Sequence, residues 1–264
     1  MKRRHLFEFE DLPWLPTALR DMVTGLLGRT LEFGRLYHPV APLLARALRA
    51  TGERSILDLC SGGGGPVSGL RRRLAREHGL AIEVRLSDLY PNAGAFEHIA
   101  AGDDGGITFE AGSVDATAVP GHLGGFRTMF SCFHHFRPRE AEAILRDAFT
   151  QGRGVGIFEV TERSPAGVAQ AMMGPLAALV LTPFVRPFRI SRLLLTYLVP
   201  VVPALFLFDG VVSNLRTYTP DELRAMTASM RRADYRWEIG QVRHPVLPTR
   251  VTYVLGLPQP PEDP

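Results

Sequence analysis

Short apolar runs, which are typical of buried strands, recur through the middle of the chain. They are separated by segments in which apolar residues recur at helical spacing. Strands that alternate with helices form a parallel sheet with right-handed crossovers. Residues 52–160 are therefore predicted to be an α/β core. Its five predicted strands lie at about residues 56–59, 81–88, 107–110, 126–132 and 154–160.

The segments on either side of this core have other patterns. Residues 1–51 are predicted to be an N-terminal helical region, because Leu19 and Leu43 each begin a stripe at helical spacing. Thr219-Pro-Asp-Glu has the pattern of a capped helix start, and two further strands are predicted after it, at 236–241 and 250–257. Residues 218–257 would thus complete the core, and the proline-rich residues 258–264 are predicted to be a disordered tail.

Residues 161–217 form an apolar insert. Its stretches 164–185 and 193–208 contain no charged residue, and the arginines between them are Arg186, Arg189 and Arg192. The first stretch is as long as a spanning helix of about 20 residues, but prolines divide it. Our favoured interpretation is that the insert is an apolar lid that covers an apolar substrate. A peripheral membrane contact through residues 165–210 is the second interpretation, and a transmembrane hairpin is the third.

Composition and charge narrow the class of protein. With 264 residues, 45% hydrophobic and 22% charged, the chain is predicted to fold as a globular protein. The densest basic run, Arg71-Arg-Arg73, points in three directions on a helix, so no nucleic-acid partner is expected. Cys60 and Cys132 are interpreted as reduced thiols of a cytoplasmic protein. The basic N-terminus lacks a following apolar region, so no secretory signal is expected.

Residues 56–66, ILDLCSGGGGP, carry the clearest chemical signal. A strand, a glycine turn and a helix start together form a cradle, because glycine lets the backbone approach a ligand and the helix start offers unpaired N–H groups. The glycines do not have dinucleotide spacing, and Lys2 is the only lysine, which excludes a P-loop. An acid before the glycines, Asp58, suits a ligand with positive charge.

Asp58-Leu-Cys-Ser-Gly62-Gly-Gly64 resembles the first motif of the class I S-adenosylmethionine (SAM) methyltransferases, with Cys60 in place of that family's first glycine. The later landmarks of the family follow in order, over about residues 52–160 and 218–257. They are Asp88 after the second strand, Asp115-Ala-Thr-Ala-Val-Pro120 after the third, Phe133-His-His-Phe136 after the fourth and Glu159 at the end of the fifth. The resemblance implies a doubly wound, seven-stranded, mostly parallel sheet whose last strand is antiparallel.

The resemblance also implies SAM as the cofactor. Asp58 would hold its amino end through water, Asp88 its ribose hydroxyls and Asp115 its adenine amino group. From their position before the helix that leads into the sheet, Tyr37 and His38 could close over the cofactor, but ordinary packing is the favoured interpretation of this pair. The full implied cofactor-binding set is Asp58, Cys60, Gly62, Gly64, Asp88, Leu89, Asp115, Ala116, Ser131 and Tyr37.

Methyl transfer depends mainly on alignment and exclusion of water, but an acceptor hydroxyl also needs a base. His135 and His134 are the leading candidates, with His135 preferred by a small margin, and Glu159 is the next. The structural alternatives are packing or helix capping. No metal site is expected.

We therefore expect a SAM-dependent methyltransferase that modifies an oxygen or nitrogen of a small apolar or lipid-like acceptor. One rival is an NAD- or nucleotide-sugar-linked Rossmann enzyme, which the glycine spacing disfavours. The other is a membrane-associated, non-catalytic module that keeps the fold without turnover.

Overall fold

The computed structural model describes residues 1–185 and 188–259. Contacts divide the chain into two units. The sheet unit is Tyr37–Val160 with Thr219–Pro264, and the helical unit is Met1–Leu36 with Thr161–Tyr218. Arg186 and residues 260–264 of the expected tail lie outside the described residues.

The strands are β1 Ser55–Asp58, β2 Glu83–Leu86, β3 Ile107–Phe109, β4 Phe126–Phe130, β5 Val155–Glu159, β6 Tyr235–Arg243 and β7 Arg250–Pro258. The helices are α1 Thr17–Phe33, α2 Ala41–Thr51, α3 Val67–His78, α4 Ala93–Ala101, α5 Pro138–Thr150, α6 Pro165–Ala171, α7 Gly174–Leu181, α8 Ile190–Leu193, α9 Val201–Arg216 and α10 Pro220–Thr227. A π-helical stretch, Leu194–Leu198, continues α8.

The sheet has the order β3-β2-β1-β4-β5-β7-β6. β1 to β5 are parallel, and β7 runs antiparallel to both β5 and β6. This confirms the expected seven-stranded, mostly parallel sheet. Strand order reverses between β1 and β4, and in such sheets ligands bind outside the carboxyl ends of the strands at that point. A ligand-binding site is therefore expected among the residues that follow β1 and β4.

The capped helix start at Thr219 is present as expected. The hydroxyl of Thr219 accepts a hydrogen bond from the backbone N–H of Glu222 at 3.3 Å, and the Glu222 carboxylate accepts one from the N–H of Thr219 at 2.9 Å. This reciprocal pair satisfies two N–H groups that a helix start leaves open, and it begins α10.

The unit boundary in the N-terminal region differs from the one expected at residue 51. The buried side chains of α2, among them Leu44 and Leu48, belong to the sheet unit, where α2 packs against α3 and β7. Only residues 1–36 join the insert. At the other end of the chain, Pro258 is the last residue of β7 rather than part of a tail.

The helical unit has its own apolar core, to which α1, α7 and α9 contribute. Its buried members are Met22, Leu26, Ala178, Leu181, Val185 and Val202. A polar network ties the N-terminal segment to α9. Buried Arg216 pairs with Glu8 at 3.0 Å and with Asp11 at 2.6 Å, and Asp209 accepts the N–H of Phe9 at 2.7 Å.

Part of the insert is long and apolar enough to cross a membrane. Among the described residues Pro165–Phe184 meets this test by length and composition. The helical segments Ile190–Leu198 and Val201–Arg216 are long and apolar enough only when they are taken as one span, and the chain bends by 77° between them.

Candidate active site

The loop between β1 and α3 has an unusual backbone conformation. Cys60 has φ +55°, Gly62 has φ +53° and Gly64 has φ +94°. Left-handed φ values cost glycine little and other residues more. Cys60 has this conformation at the position where the motif that the chain resembles has glycine.

Two glycines of the loop meet different surroundings. A Cβ on Gly64 would come within 2.0 Å of Cδ1 of Ile99 on α4 and would displace the end of that side chain, and the left-handed φ of Gly64 independently favours glycine. A Cβ on Gly62 or Gly63 would meet no atom within 4 Å. The exposed edge of the loop is therefore open to a ligand, while its buried edge rests on α4.

Hydrogen bonds join the glycine loop to the end of β2. The N–H of Ser61 donates to the carbonyl of Ser87 at 2.9 Å. The N–H of Gly62 donates to Oδ2 of Asp88 at 2.9 Å, and Oδ1 of the same carboxylate accepts the N–H of Tyr90 at 2.9 Å. Asp88 is thus fixed beside the open glycines, as the motif order leads one to expect.

The segment before Asp115 is attached to the same place. The N–H of Val114 donates to the carbonyl of Asp88 at 2.9 Å, and the Ser113 hydroxyl donates to the carbonyl of Leu89 at 2.6 Å. Oδ1 of Asp115 accepts the N–H and the hydroxyl of Thr117 at 2.8 and 2.7 Å. The predicted ribose and adenine acids therefore lie on segments that contact one another.

Leu89 and Ala116, which follow Asp88 and Asp115 in the predicted cofactor-binding set, differ in exposure. Leu89 is 42% exposed, whereas Ala116 is buried. An exposed leucine directly after Asp88 gives this edge an apolar face.

Asp58 lies deeper than the other two acids. Its Oδ1 accepts the hydroxyl of Thr128 on β4 at 2.6 Å, and its Oδ2 accepts the hydroxyl of Ser61 at 2.7 Å. Burial, with a smaller contribution from the charge of Asp88, raises the pKa of Asp58 from 3.8 to about 7, although both hydroxyls oppose the shift. A nearby cation would favour the ionised carboxylate.

Tyr37 rests on the ends of β4 and β5. Its hydroxyl lies 2.5 Å from Oγ of Ser131 and donates to the carbonyl of Phe158 at 3.5 Å. Ser131 has φ +47°, which is uncommon for a residue other than glycine. Burial above all raises the pKa of the Tyr37 phenol well above its ordinary value, so this hydroxyl stays protonated and can donate a hydrogen bond.

Cys60 and Cys132 are neighbours, a relationship that the sequence patterns did not indicate. Both are free, half-buried cysteines. A hydrogen bond with Cys60, followed by burial, raises the pKa of the Cys132 thiol well above its ordinary value. Each follows its strand by two residues, and β1 and β4 are paired. Because the two cysteines follow the ends of adjacent strands by the same number of residues, the strand order would have been enough to predict that they are neighbours.

His134 and Glu159 form a buried pair at the ends of β4 and β5. Nδ1 of His134 lies 2.7 Å from Oε2 of Glu159, and Oε1 of Glu159 accepts the N–H of Phe133 at 2.7 Å. Burial alone would raise the pKa of Glu159, but the charge and hydrogen bond of His134 and the Phe133 N–H outweigh it, and the net pKa is lowered. Glu159 is therefore an ionised carboxylate that orients the His134 ring.

His135 has different surroundings from its neighbour. It is half-buried, whereas His134 is 3% exposed, and the two ring centroids lie 4.4 Å apart. The structure thus brings both histidines and Glu159 together.

No protein-family model matches the sequence, and no curated protein does. Solved structures do match its fold. The plantazolicin methyltransferase BpumL in complex with SAH superposes with a TM-score of 0.61 at 12% identity, over 95% of this chain and 94% of that one. The chain has the class I methyltransferase fold.

Two larger structures of this methyltransferase fold also match. The mitomycin 7-O-methyltransferase MmcR has a TM-score of 0.52 at 14% identity, over 94% of this chain and 60% of its own. Human N-acetylserotonin methyltransferase in complex with SAM has a TM-score of 0.52 at 13% identity, over 98% of this chain and 63% of its own. The chain therefore spans about three fifths of these two proteins and nearly all of the plantazolicin enzyme.

Proposed function

We propose that the protein transfers a methyl group from SAM to an oxygen or nitrogen of a small apolar or lipid-like acceptor. The observation that carries the proposal is the hydrogen bond between Gly62 and Asp88 at the open edge of the glycine loop. It joins the two parts of the chain that the methyltransferase resemblance assigns to the cofactor.

The residues of the loop fit an S-adenosyl nucleoside. Gly62 and Gly63 leave space that a Cβ would fill, and the half-exposed Asp88 carboxylate faces that loop. Each carboxylate oxygen has a second lone pair beyond the one that accepts a backbone N–H. These lone pairs can accept the two ribose hydroxyls, and Asp58 can balance the amino group. The similar structures described with SAH or SAM support this ligand.

Bound SAM would supply a methyl group that the positive charge on sulfur activates, and the carbon–sulfur bond would break as the acceptor atom bonds to the methyl carbon. The protein contributes alignment of the reactants and exclusion of water, and both lower the activation free energy substantially. An acceptor hydroxyl also releases a proton, and a positioned base receives it.

The base is proposed to be His134, with Glu159 as its orienting partner. A base held by a third group is a recurrent arrangement in enzymes that activate a hydroxyl, and the 2.7 Å contact with Glu159 supports His134 in this role. This reverses the small preference for His135 from the sequence, and His135 is the alternative. Glu159 is proposed as a positioning residue, because its net lowered pKa makes it a weak proton acceptor.

The acceptor is proposed to be apolar. The insert has long stretches without charge, and both the lid and the membrane-contact interpretations place it in apolar surroundings. The mitomycin 7-O-methyltransferase and N-acetylserotonin methyltransferase are named for small-molecule acceptors, which supports a small acceptor here.

Labelled methyl transfer tests this proposal. Purified protein would be incubated with methyl-labelled SAM and a panel of hydroxylated and aminated apolar compounds, and the extracts would be separated and counted. We expect label on at least one apolar acceptor, and transfer that is slower by about 10²-fold or more after His134→Asn. Thermal stabilisation by NAD(H) but not by S-adenosylhomocysteine would instead favour a nicotinamide-linked enzyme.

A further inference from the structure

Large apolar side chains of the helical unit face solvent between residues 172 and 199. Of the 22 exposed large apolar residues in the described chain, 12 lie in this short segment, and each is at least 42% exposed. The most exposed are Leu198 at 75% and Ile190 at 68%. We call this segment the apolar surface segment. Exposed apolar side chains concentrated in this way are characteristic of a binding surface.

The apolar surface segment is not the core of its unit. Ala178, Leu181 and Val185 of the same segment face the core, and only 22% of the apolar window Pro165–Phe184 is buried. A core helix of similar composition would be mostly buried. Because the outward side is as apolar as the inward side, the segment has an apolar surface beyond what its own unit needs.

The charges of this region select the partner. Residues 164–208 contain no acid, and their three charged residues are Arg186, Arg189 and Arg192. Arg192 is buried, so Arg189 is the one of them that the described structure shows at the surface. The Arg189 side chain is 41% exposed, with Nη1 3.9 Å from Oδ2 of Asp21. A two-fold contact pairs identical patches, so a second copy of the chain would bring no acid from residues 164–208 to balance Arg189. An anionic lipid surface offers both acyl chains and opposite charge.

The packing of α9 argues against a spanning hairpin. Its second half holds Asp209 and Arg216 in the polar network with Glu8, Asp11 and Phe9. The chain also bends by 77° between the π-helical stretch and α9, and Leu198 and Val199 lie at that bend. The helix that follows the apolar surface segment is thus held in a polar network, which favours entry of the segment into one leaflet over a crossing of the bilayer.

We propose that the apolar surface segment inserts into one leaflet of an anionic lipid membrane. Ile190 and Leu198 enter the acyl region, and Arg189 meets the lipid phosphates. This contact goes beyond methyl transfer, since it depends on neither SAM nor an acceptor, and it would bring the protein to membrane-dissolved compounds.

Vesicle flotation of the full-length protein tests this contact without SAM. Vesicles of phosphatidylcholine alone would be compared with vesicles that also contain phosphatidylglycerol. We expect flotation with the mixed vesicles, and at least about a tenfold loss of affinity for the double variant Ile190→Glu, Leu198→Glu, because each leucine-sized side chain gains more than that by burial. Val246→Glu is the matched control, since Val246 is 84% exposed on the sheet unit.

A charge variant separates the two parts of the contact. Arg189→Glu should lower the affinity for mixed vesicles while leaving that for phosphatidylcholine unchanged. The proposal is overturned if the wild-type protein fails to float with mixed vesicles, or if Val246→Glu loses as much binding as the double variant. It is also overturned if the wild-type protein sediments as a dimer that the double variant dissociates, since a second copy would then cover the segment.

Discussion

The N–H of Gly62 donates a hydrogen bond of 2.9 Å to Oδ2 of Asp88. This bond links the glycine loop after β1 to the acid after β2. It orients the carboxylate toward the loop, and it holds the loop in the left-handed conformation that Gly62 adopts. Two motifs that lie apart in the sequence thus form a single structural unit, and the proposed nucleoside site depends on both.

The first prediction concerns the buried edge of the glycine loop. Gly64→Ala forces a residue with a Cβ into a left-handed φ, which costs about 1–3 kcal/mol, and its methyl group also displaces the end of the Ile99 side chain. Gly63→Ala is the matched control, because its Cβ would meet no atom within 4 Å and no positive φ strains it. Thermal denaturation should show a lower midpoint for Gly64→Ala and little change for Gly63→Ala. Equal midpoints for the two variants would contradict the loop geometry.

The second prediction concerns the pH dependence of ligand binding. The pKa of Asp58 is raised to about 7 in the free protein, chiefly by burial. The ammonium group of S-adenosylhomocysteine would favour the ionised form, so binding lowers this pKa and releases a proton whenever Asp58 starts protonated. Affinity should therefore rise with pH up to about 7 and then level off.

Calorimetric titrations in buffers of different ionisation enthalpy, below and above neutrality, measure that proton release. Asp58→Asn should remove the pH dependence, because the amide does not titrate in this range. If the affinity of the wild-type protein does not change with pH, ligand binding does not alter the protonation of Asp58. The same conclusion follows if the affinity of Asp58→Asn depends on pH as strongly as that of the wild type.

The third prediction concerns the pair formed by His134 and Glu159. Glu159→Gln keeps an oxygen that can accept the N–H of Phe133 but removes the negative charge beside the histidine. Methyl transfer should fall by about 10²-fold or more, in line with the loss of a positioned base, while S-adenosylhomocysteine affinity stays the same. Glu142→Gln changes a surface pair with Arg146 and serves as the control.

Single-turnover rates with saturating SAM are the appropriate measurement for Glu159→Gln. His134→Asn should show a similar loss, and His135→Asn a smaller one. A larger loss in His135→Asn than in His134→Asn would restore His135 as the base. Loss of ligand affinity in Glu159→Gln would mean that the pair supports the cofactor site rather than the reaction.

Local patterns predicted much of the sheet unit. The apolar run before Asp58, the glycines after it and the acid Asp88 are close enough in sequence for periodicity and composition to indicate a strand, a loop and a second strand. The contacts of His134 with Glu159 and of Cys60 with Cys132 depend on β4 lying beside both β1 and β5. No local pattern carries that strand order, and the resemblance implied a doubly wound, seven-stranded sheet without stating which side chains meet in it.

The helical unit was harder to predict. Phe9 and Asp209 contact each other across most of the chain length, and a helical stripe shows that a face is buried without showing what covers it. The N-terminal region and the insert were therefore expected to be separate segments. Because Met22 and Leu26 of α1 pack against α7 and α9, deletion of the insert would expose them, and point substitutions are the better tests.

Calorimetric titration with S-adenosylhomocysteine tests the central claim most directly. The wild-type protein should bind it at one site. Asp88→Ala should bind it at least about 100-fold more weakly, since hydrogen bonds to a charged group contribute about 1.5–3 kcal/mol each. Asp221→Ala, which changes an exposed acid on α10, should bind like the wild type. Absence of binding by the wild-type protein, or unchanged affinity in Asp88→Ala, would contradict the assignment of the glycine loop and Asp88 to an S-adenosyl nucleoside.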